Sequence, residues 1–363
     1  MNPALLRSAE ASSPLDAYDY QLPPELIAQH PAPRRVQARL MVLAEGQAAP
    51  VHKRAYNLLE WLRKDDLLVI NNTSVVPARL RGRKPTGGKV EVFLLSPAHP
   101  LDVMDDGSEV HETLIKTHRR LAKGARINLD PEENLWAEVV EVSDRGKALV
   151  KFPGSALSLA SDLGEVPLPP YIKRPDGPLA EDKQRYQTVY AHKQGAVAAP
   201  TAGLHLSKEL MAALLKRGVR VAPVTLHVGY GTFAEPSAED LASGKLHSEW
   251  VEISCETARA VEETRQKGGR VICVGTTSLR AVEWRGTEQG LVEPGAGWCD
   301  ILIDESSAIK VADGILTNFH LPRTTLLMLV AAMAGRERIL AAYAEAIRMK
   351  YRFYSFGDAM LII

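Results

Sequence analysis

Between positions 66 and 152 the chain strings together seven short β-rich runs (67–71, 75–80, 89–95, 112–116, 125–129, 136–142 and 148–152), separated only by Gly, Pro and Asp turns. Strands this closely spaced leave no room for crossover helices, so the stretch is restricted to a small barrel or sandwich. From position 196 the rhythm changes. An apolar run leads into a polar loop of Gly, Thr or His and on toward a helical pattern, four times over, with loops at 201–205, 229–233, 275–278 and 319–322. Strands alternating with helices argue for a largely parallel sheet, whose ligands sit where the carboxyl ends of the strands open into loops. The expected fold class is therefore α/β: a largely parallel α/β domain, discontinuous over 15–65 and 153–363, plus a smaller β-barrel domain over 66–152. Residues 1–14 read as a loose tail, and 22–29 as a short helix with proline in its first turn.

The 363 residues carry 44 Lys+Arg against 44 Asp+Glu, so any polyanion site has to be a local patch on a neutral body. Cys255, Cys273 and Cys299 are too far apart in sequence for a CxxC knuckle and fit a reducing compartment. The start of the chain lacks a basic segment followed by an apolar one, and the longest nearly apolar run, 324–334, is too short for a bilayer. A cytoplasmic protein with no membrane partner is expected.

Three of the four loops carry a histidine: His205, His227 and His320. One crevice is expected to gather them, although an imidazole also serves buried hydrogen-bond networks. Gly275-Thr-Thr-Ser278, ahead of a helical stretch, suits an anionic group over free backbone N–H groups, or serves only as a cap. Gly229 and Gly231 permit close approach of a ligand to the backbone. No GxxxxGK[ST] loop occurs and no GxGxxG lies between a strand and a helix, which disfavours ATP hydrolysis and dinucleotide binding. His247 and Glu249, two apart on a strand, form a candidate acid/base pair or a surface pair. Two basic clusters stand in the β-rich part: Arg79, Arg81, Arg83, Lys84 and Lys89, then Lys116, Arg119, Arg120, Lys123 and Arg126. They suit a phosphate backbone or a solvated face.

Tyr18-Asp-Tyr-Gln-Leu-Pro-Pro-Glu-Leu, Val76-Pro-Ala-Arg-Leu80, Thr86-Gly-Gly-Lys-Val-Glu-Val92, Leu168-Pro-Pro-Tyr-Ile172, Ala198-Ala-Pro-Thr-Ala-Gly-Leu-His205, Thr225-Leu-His-Val-Gly-Tyr-Gly-Thr-Phe233, Thr317-Asn-Phe-His-Leu-Pro322 and the closing Tyr351-Arg-Phe-Tyr-Ser-Phe-Gly-Asp follow in order. Through these segments, over nearly its whole length, the chain resembles the S-adenosylmethionine:tRNA ribosyltransferase-isomerases of queuosine biosynthesis. The resemblance implies an α/β domain with a β-barrel domain. It also implies transfer and isomerisation of the ribosyl moiety of S-adenosylmethionine onto 7-aminomethyl-7-deazaguanine at the tRNA wobble position, yielding epoxyqueuosine-tRNA, adenine and methionine. S-adenosylmethionine is then a substrate, with no cofactor and no metal, and the enzyme is expected to act as a monomer.

Such chemistry needs a base beside the sulfonium and an acid for departing adenine. His205, His227, His320 and Glu249 form the catalytic pool. Thr201, Gly203, Gly229, Gly231, Thr276, Thr277, Ser278, Arg280 and Asn318 are assigned to substrate binding, Arg280 having Glu283 as an alternative partner on its own helix. Arg79, Arg81, Arg83, Lys84, Lys116, Arg119 and Arg120 are assigned to tRNA. The chain departs from the family pattern at Val36, Ala38, Asn72, Ser74 and Glu305-Ser306. Two other readings are a metal-dependent hydrolase built on the loop histidines and a noncatalytic tRNA-binding paralogue.

Overall fold

The computed structural model describes residues 13–363 except 176, 178, 234 and 235, and except the side chains of 232 and 233; most of the expected tail lies outside the described residues. Strands are numbered in chain order. β1 (Arg39–Leu43), β2 (Val51–Arg54), β3 (Leu67–Asn71) and β4 (Thr73–Val75) come first. β5 (Arg79–Arg83), β6 (Lys89–Leu94), β7 (Asp102–Val103), β8 (Glu109–Thr117), β9 (Arg126–Asp130), β10 (Leu135–Val142) and β11 (Lys147–Phe152) follow without a helix between them. The rest are β12 (Lys193–Ala196), β13 (Arg220–Leu226), β14 (Lys245–Ile253), β15 (Val271–Val274), β16 (Gly295–Ile301), β17 (Gly314–Asn318) and β18 (Ala359–Ile362).

Nine strands form one sheet in the order β16-β14-β13-β3-β15-β17-β18-β1-β2. The middle run β13-β3-β15-β17 is parallel, and β18 is also parallel to β1; the other pairings are antiparallel. The sheet is buried on both faces because its central strands are apolar along most of their length. Leu67 and Val69 enter one core with Leu279, Val282 and Val261, while Leu68 and Ile70 enter the other with Leu210 and Leu214. Alternate side chains of one strand thus feed two helix layers.

The second sheet closes on itself in the order β11-β10-β9-β5-β6-β8, with β8 pairing back to β11 and β7 added outside β8. Val92, Ile127, Val139, Val150 and Phe152 fill it, and the helix Ala156–Leu163 plugs one end through Ala156 and Ala160. Gly82 makes the tight corner possible, since a Cβ there would lie 2.7 Å from Ile127 and 2.8 Å from the Asn128 carbonyl.

Two expectations need correction. The run 67–71 does not open the barrel; it is β3, at the middle of the large sheet, and the barrel strands begin at Arg79. Its unbroken apolar character marks a strand covered on both faces, whereas barrel strands alternate. The expected helix at 22–29 shrinks to a 3₁₀ turn, Pro24–Leu26, because Ile27 leaves in extended conformation to bridge Phe353. The helix foreseen after Ser207 forms as Lys208–Lys216, with the Ser207 hydroxyl accepting from Leu210 N–H at 3.2 Å.

Candidate functional site

At the carboxyl ends of β15 and β17 the chain leaves the sheet through Gly275 and through Asn318-Phe319-His320, around a small cavity of about 60 Å³. Gly275 turns with φ +89°, a conformation natural only to glycine, and starts the helix Thr276–Trp284. The free N–H groups of that helix's first turn, with the hydroxyls of Thr276 and Thr277, meet Thr201, Asn318 and His320 across the cavity. Asn71, at the end of buried β3, holds this corner: its amide donates to Thr277 Oγ1 at 3.2 Å and to the Leu226 carbonyl at 2.9 Å, and its oxygen accepts from Leu226 N–H at 3.0 Å.

A larger cleft of about 570 Å³ adjoins the cavity, with Leu326 and Tyr354 lining both. Gly231, His247, Glu249, Arg280 and Thr324 line it, so His247 and Glu249 do face one space. Glu249 and Arg280 form a buried ion pair with side chains 4% and 9% exposed, an Arg280 Nη1–H donating to Glu249 Oε2. The other carboxylate oxygen accepts from Gly229 N–H at 3.0 Å, which ties the glycine turn to the pair. Arg280 Nε and Nη2 are buried with no hydrogen-bond partner. Glu283, the alternative partner, is occupied elsewhere: it accepts from the backbone N–H groups of Lys310, Val311 and Ala312 at 2.8 to 3.0 Å.

The three histidines are not gathered. His320 lines the cavity, its Nε2 lying 2.8 Å from Thr317 Oγ1. His205 faces a separate small pocket beside Arg35 and Arg185, with the Asn318 side chain hydrogen-bonded to it. His227 points to the opposite side of its strand from Leu226 and Val228, with Nδ1 2.8 Å from Thr73 Oγ1 and its ring near His99. His205 ends the 3₁₀ turn Thr201–His205, His227 follows the end of β13 and His320 follows the end of β17, so each leaves the sheet from a different element. A three-histidine metal site therefore does not form, and among the described residues no group of three or more His, Cys, Asp or Glu is placed to hold a metal ion.

Gly203, Gly229 and Ser278 also fall outside both hollows. Gly203 backs onto Tyr190. Ser278, fully buried, donates from Oγ to the Val274 carbonyl at 2.9 Å. Ser278→Ala is expected to cost about 1 kcal/mol in urea unfolding, with KM for S-adenosylmethionine unchanged. Sequence reasoning missed Asn71, Tyr171, Tyr354 and Ser355. The Tyr171 and Tyr354 rings pack 4.0 Å apart, and Tyr171 hydrogen-bonds Ser355, all three lining the cavity. Tyr171 and Tyr354 lie in the quoted Leu168–Ile172 and C-terminal segments, a signal read there as resemblance and not as site.

Burial sets the charge state of the imidazoles. It pulls His320 down to about 3 and His205 to about 4, and does the same to His227, to about 4, with His99 adding repulsion. At neutral pH these groups are uncharged, and an uncharged imidazole can accept a proton but has no imidazolium proton to give. His205 and His320 are 4% and 6% exposed, and on unfolding each regains a pKa near 6.5. Between that value and the folded one the unfolded chain binds more protons, so their contribution to stability is complete above pH about 6.5 and lost on acidification. Each is expected to remove about 2 kcal/mol between neutral pH and pH about 5. Urea unfolding at the two pH values checks this, and His205→Asn should flatten the dependence.

On the barrel, Arg81, Glu91 and Lys116 align across β5, β6 and β8, so both basic clusters share one face. Part of that charge is neutralised. Arg81 makes two bonds to Glu165 at 2.6 and 2.8 Å, Arg79 lies 3.7 Å from Glu91, and Arg120 lies 3.7 Å from Asp144. Arg83, Lys116 and Arg119 are exposed, and the Lys84 ammonium donates to the Arg119 carbonyl at 2.6 Å. The departures from the family pattern are absorbed locally: Asn72 accepts from Thr225, Ser74 from Gln187, and Glu305 from the Tyr18 hydroxyl. Of these positions only Ala38 lines a hollow, the pocket of His205.

The molecule thus joins a small cavity, set at the strand ends of an α/β sheet beside a helix N-terminus and a buried imidazole, to a closed barrel with a basic face. A family model described as queuosine biosynthesis protein matches residues 15–362. The S-adenosylmethionine:tRNA ribosyltransferase-isomerase of Acetivibrio thermocellus is 46% identical over 346 residues, 94% of this chain and 98% of that one. The protein of the same name from Natranaerobius thermophilus is 45% identical over 351 residues, 96% and 99% of the two chains. The crystal structure of an S-adenosylmethionine tRNA ribosyltransferase from Thermotoga maritima matches with a TM-score of 0.53 at 34% identity, over 96% of this chain and 100% of that one. The chain belongs to the queuosine biosynthesis family.

Proposed function

We propose that the cavity and the adjoining cleft together hold S-adenosylmethionine while it is consumed. The activity is that of an S-adenosylmethionine:tRNA ribosyltransferase-isomerase, which moves and rearranges the ribosyl moiety onto the aminomethyl group of 7-aminomethyl-7-deazaguanine in tRNA and releases adenine and methionine. The observation that supports this placement is the sharing of one cavity by His320, Thr276 and Thr277, open through Leu326 and Tyr354 to the cleft of Glu249 and Arg280.

In this reading the methionine carboxylate lies on the N–H groups and hydroxyls of Thr276 and Thr277, where helix dipole and free donors favour an anion. The neutral His320 imidazole takes the proton from the carbon beside the sulfonium. The Glu249–Arg280 pair lines the side on which adenine departs, with Gly231 on the same wall and Gly229 behind it, bonded to the Glu249 carboxylate. Arg83, Lys84, Lys116 and Arg119 on the barrel face contact tRNA phosphates. Mixing the protein with S-adenosylmethionine and tRNA carrying the aminomethyl base should release adenine and methionine in equal amounts. No adenine above the protein-free control would overturn the reading.

A further inference from the structure

Positive charge also gathers on the large sheet's side of the molecule, away from the cavity. It lies in a groove of about 610 Å³ beyond the end of β2, lined by Arg39, Arg54, Lys350 and Arg352 together with the exposed ring of Tyr56. One acid, Asp358, shares the lining, and it is 2% exposed with both oxygens taken by the backbone N–H groups of Arg39 and Arg352 at 2.8 Å. The guanidinium groups are held mainly by carbonyls. Arg39 donates to Met349 O at 2.8 Å, Arg54 to Gln37 O at 2.6 Å and Arg352 to His30 O at 3.2 Å, with Asp358 a further 3.6 Å from Arg352. A carbonyl fixes a guanidinium without cancelling its charge, so the forks are oriented and still cationic. On the barrel face carboxylates partner Arg79, Arg81 and Arg120, whereas of the four groove cations only Arg352 has one among the described residues, Asp358.

The groove also lies next to the site. Ala32 lines both the groove and the pocket of His205, where Arg35 donates only to the carbonyls of Leu204, Gln184 and Gln187. Ser355 then lines both that pocket and the cavity of His320. We propose that this groove is a second RNA-binding surface, which takes the phosphodiester backbone of the tRNA on Arg54, Lys350 and Arg352 and stacks an unpaired base on Tyr56. The proposal rests on tRNA being the substrate. A cationic groove with one aromatic face at its rim matches a single-stranded loop, in which phosphates follow the charges and a splayed base finds a flat partner.

The test measures binding of an unmodified tRNA transcript as a function of salt. Each phosphate contact contributes roughly 0.7–0.9 to the slope of log K against log salt. Arg54→Gln with Lys350→Gln should lower that slope by roughly 1.5 and weaken binding at least tenfold near physiological salt. Tyr56→Ala should weaken binding roughly tenfold with the slope unchanged, because stacking releases no counterions. Arg259→Ala with Lys267→Ala, on the helix Cys255–Gln266 and just after it, removes two exposed charges elsewhere and should leave the slope as in the parent. Parental slope and affinity in the Arg54/Lys350 variant, with melting temperature intact, would sink the proposal, as would failure of the parent to bind the transcript. Adenine release by the parent, assayed separately with modified tRNA, reports on the activity, so loss of the groove and loss of the function are told apart.

Discussion

His320→Gln is expected to lower turnover by roughly 10²–10⁴-fold while S-adenosylmethionine still binds, the range over which a positioned general base acts. His320 is the one loop histidine in the cavity, and its surroundings hold it neutral and oriented: Nε2 meets Thr317, and its backbone N–H donates to the Tyr343 hydroxyl at 3.0 Å. His205→Ala and His227→Ala, which do not line the cavity, should stay within tenfold of the parent when folded. Single-turnover adenine release and equilibrium binding of S-adenosylmethionine separate the two quantities. A near-parental rate for His320→Gln would move the base elsewhere.

Arg280→Met should have the largest effect on stability, because it leaves the Glu249 carboxylate buried against Gly229 without its cation. Breaking a buried pair in this way costs about 3–5 kcal/mol. Removing both charges, Glu249→Gln with Arg280→Met, should restore most of that loss, since neither desolvated charge remains. Activity should not return in the double variant: both side chains line the cleft, and Arg280 carries two buried N–H groups without a protein partner. Urea unfolding and adenine release on the three variants check this. A cost below about 1 kcal/mol for the single change would mean that water reaches the pair. Full activity in the double variant would make the pair purely structural.

Much of the architecture was legible before any coordinates. Closely spaced β runs predicted the barrel, strand–loop–helix units predicted the α/β sheet, and Gly275 followed by hydroxyl residues predicted a helix start facing a ligand space. These are local properties: turn chemistry, capping and hydrophobic period act over a few residues and leave their mark in the order of side chains. The motifs around His205, Gly229 and His320 likewise carried the family resemblance.

Tertiary structure decided what strands and side chains face. The run 67–71 joined the large sheet because its apolar residues need cover on both faces, and no local signal said which sheet would supply it. His205, His227 and His320 follow similar apolar runs, yet they differ in surroundings, since one ends a 3₁₀ turn and the other two lie just beyond the ends of two different strands. Arg280 found Glu249, 31 positions away, in place of Glu283 on its own helix, because Glu283 was drawn to the backbone N–H groups of 310–312. The groove of Arg54 and Lys350 is assembled from β2 and the turn after the helix Arg336–Arg348, segments about three hundred residues apart. Charge and chemistry are written residue by residue along the chain; adjacency across it arises only when the two cores have packed and set each strand's neighbours.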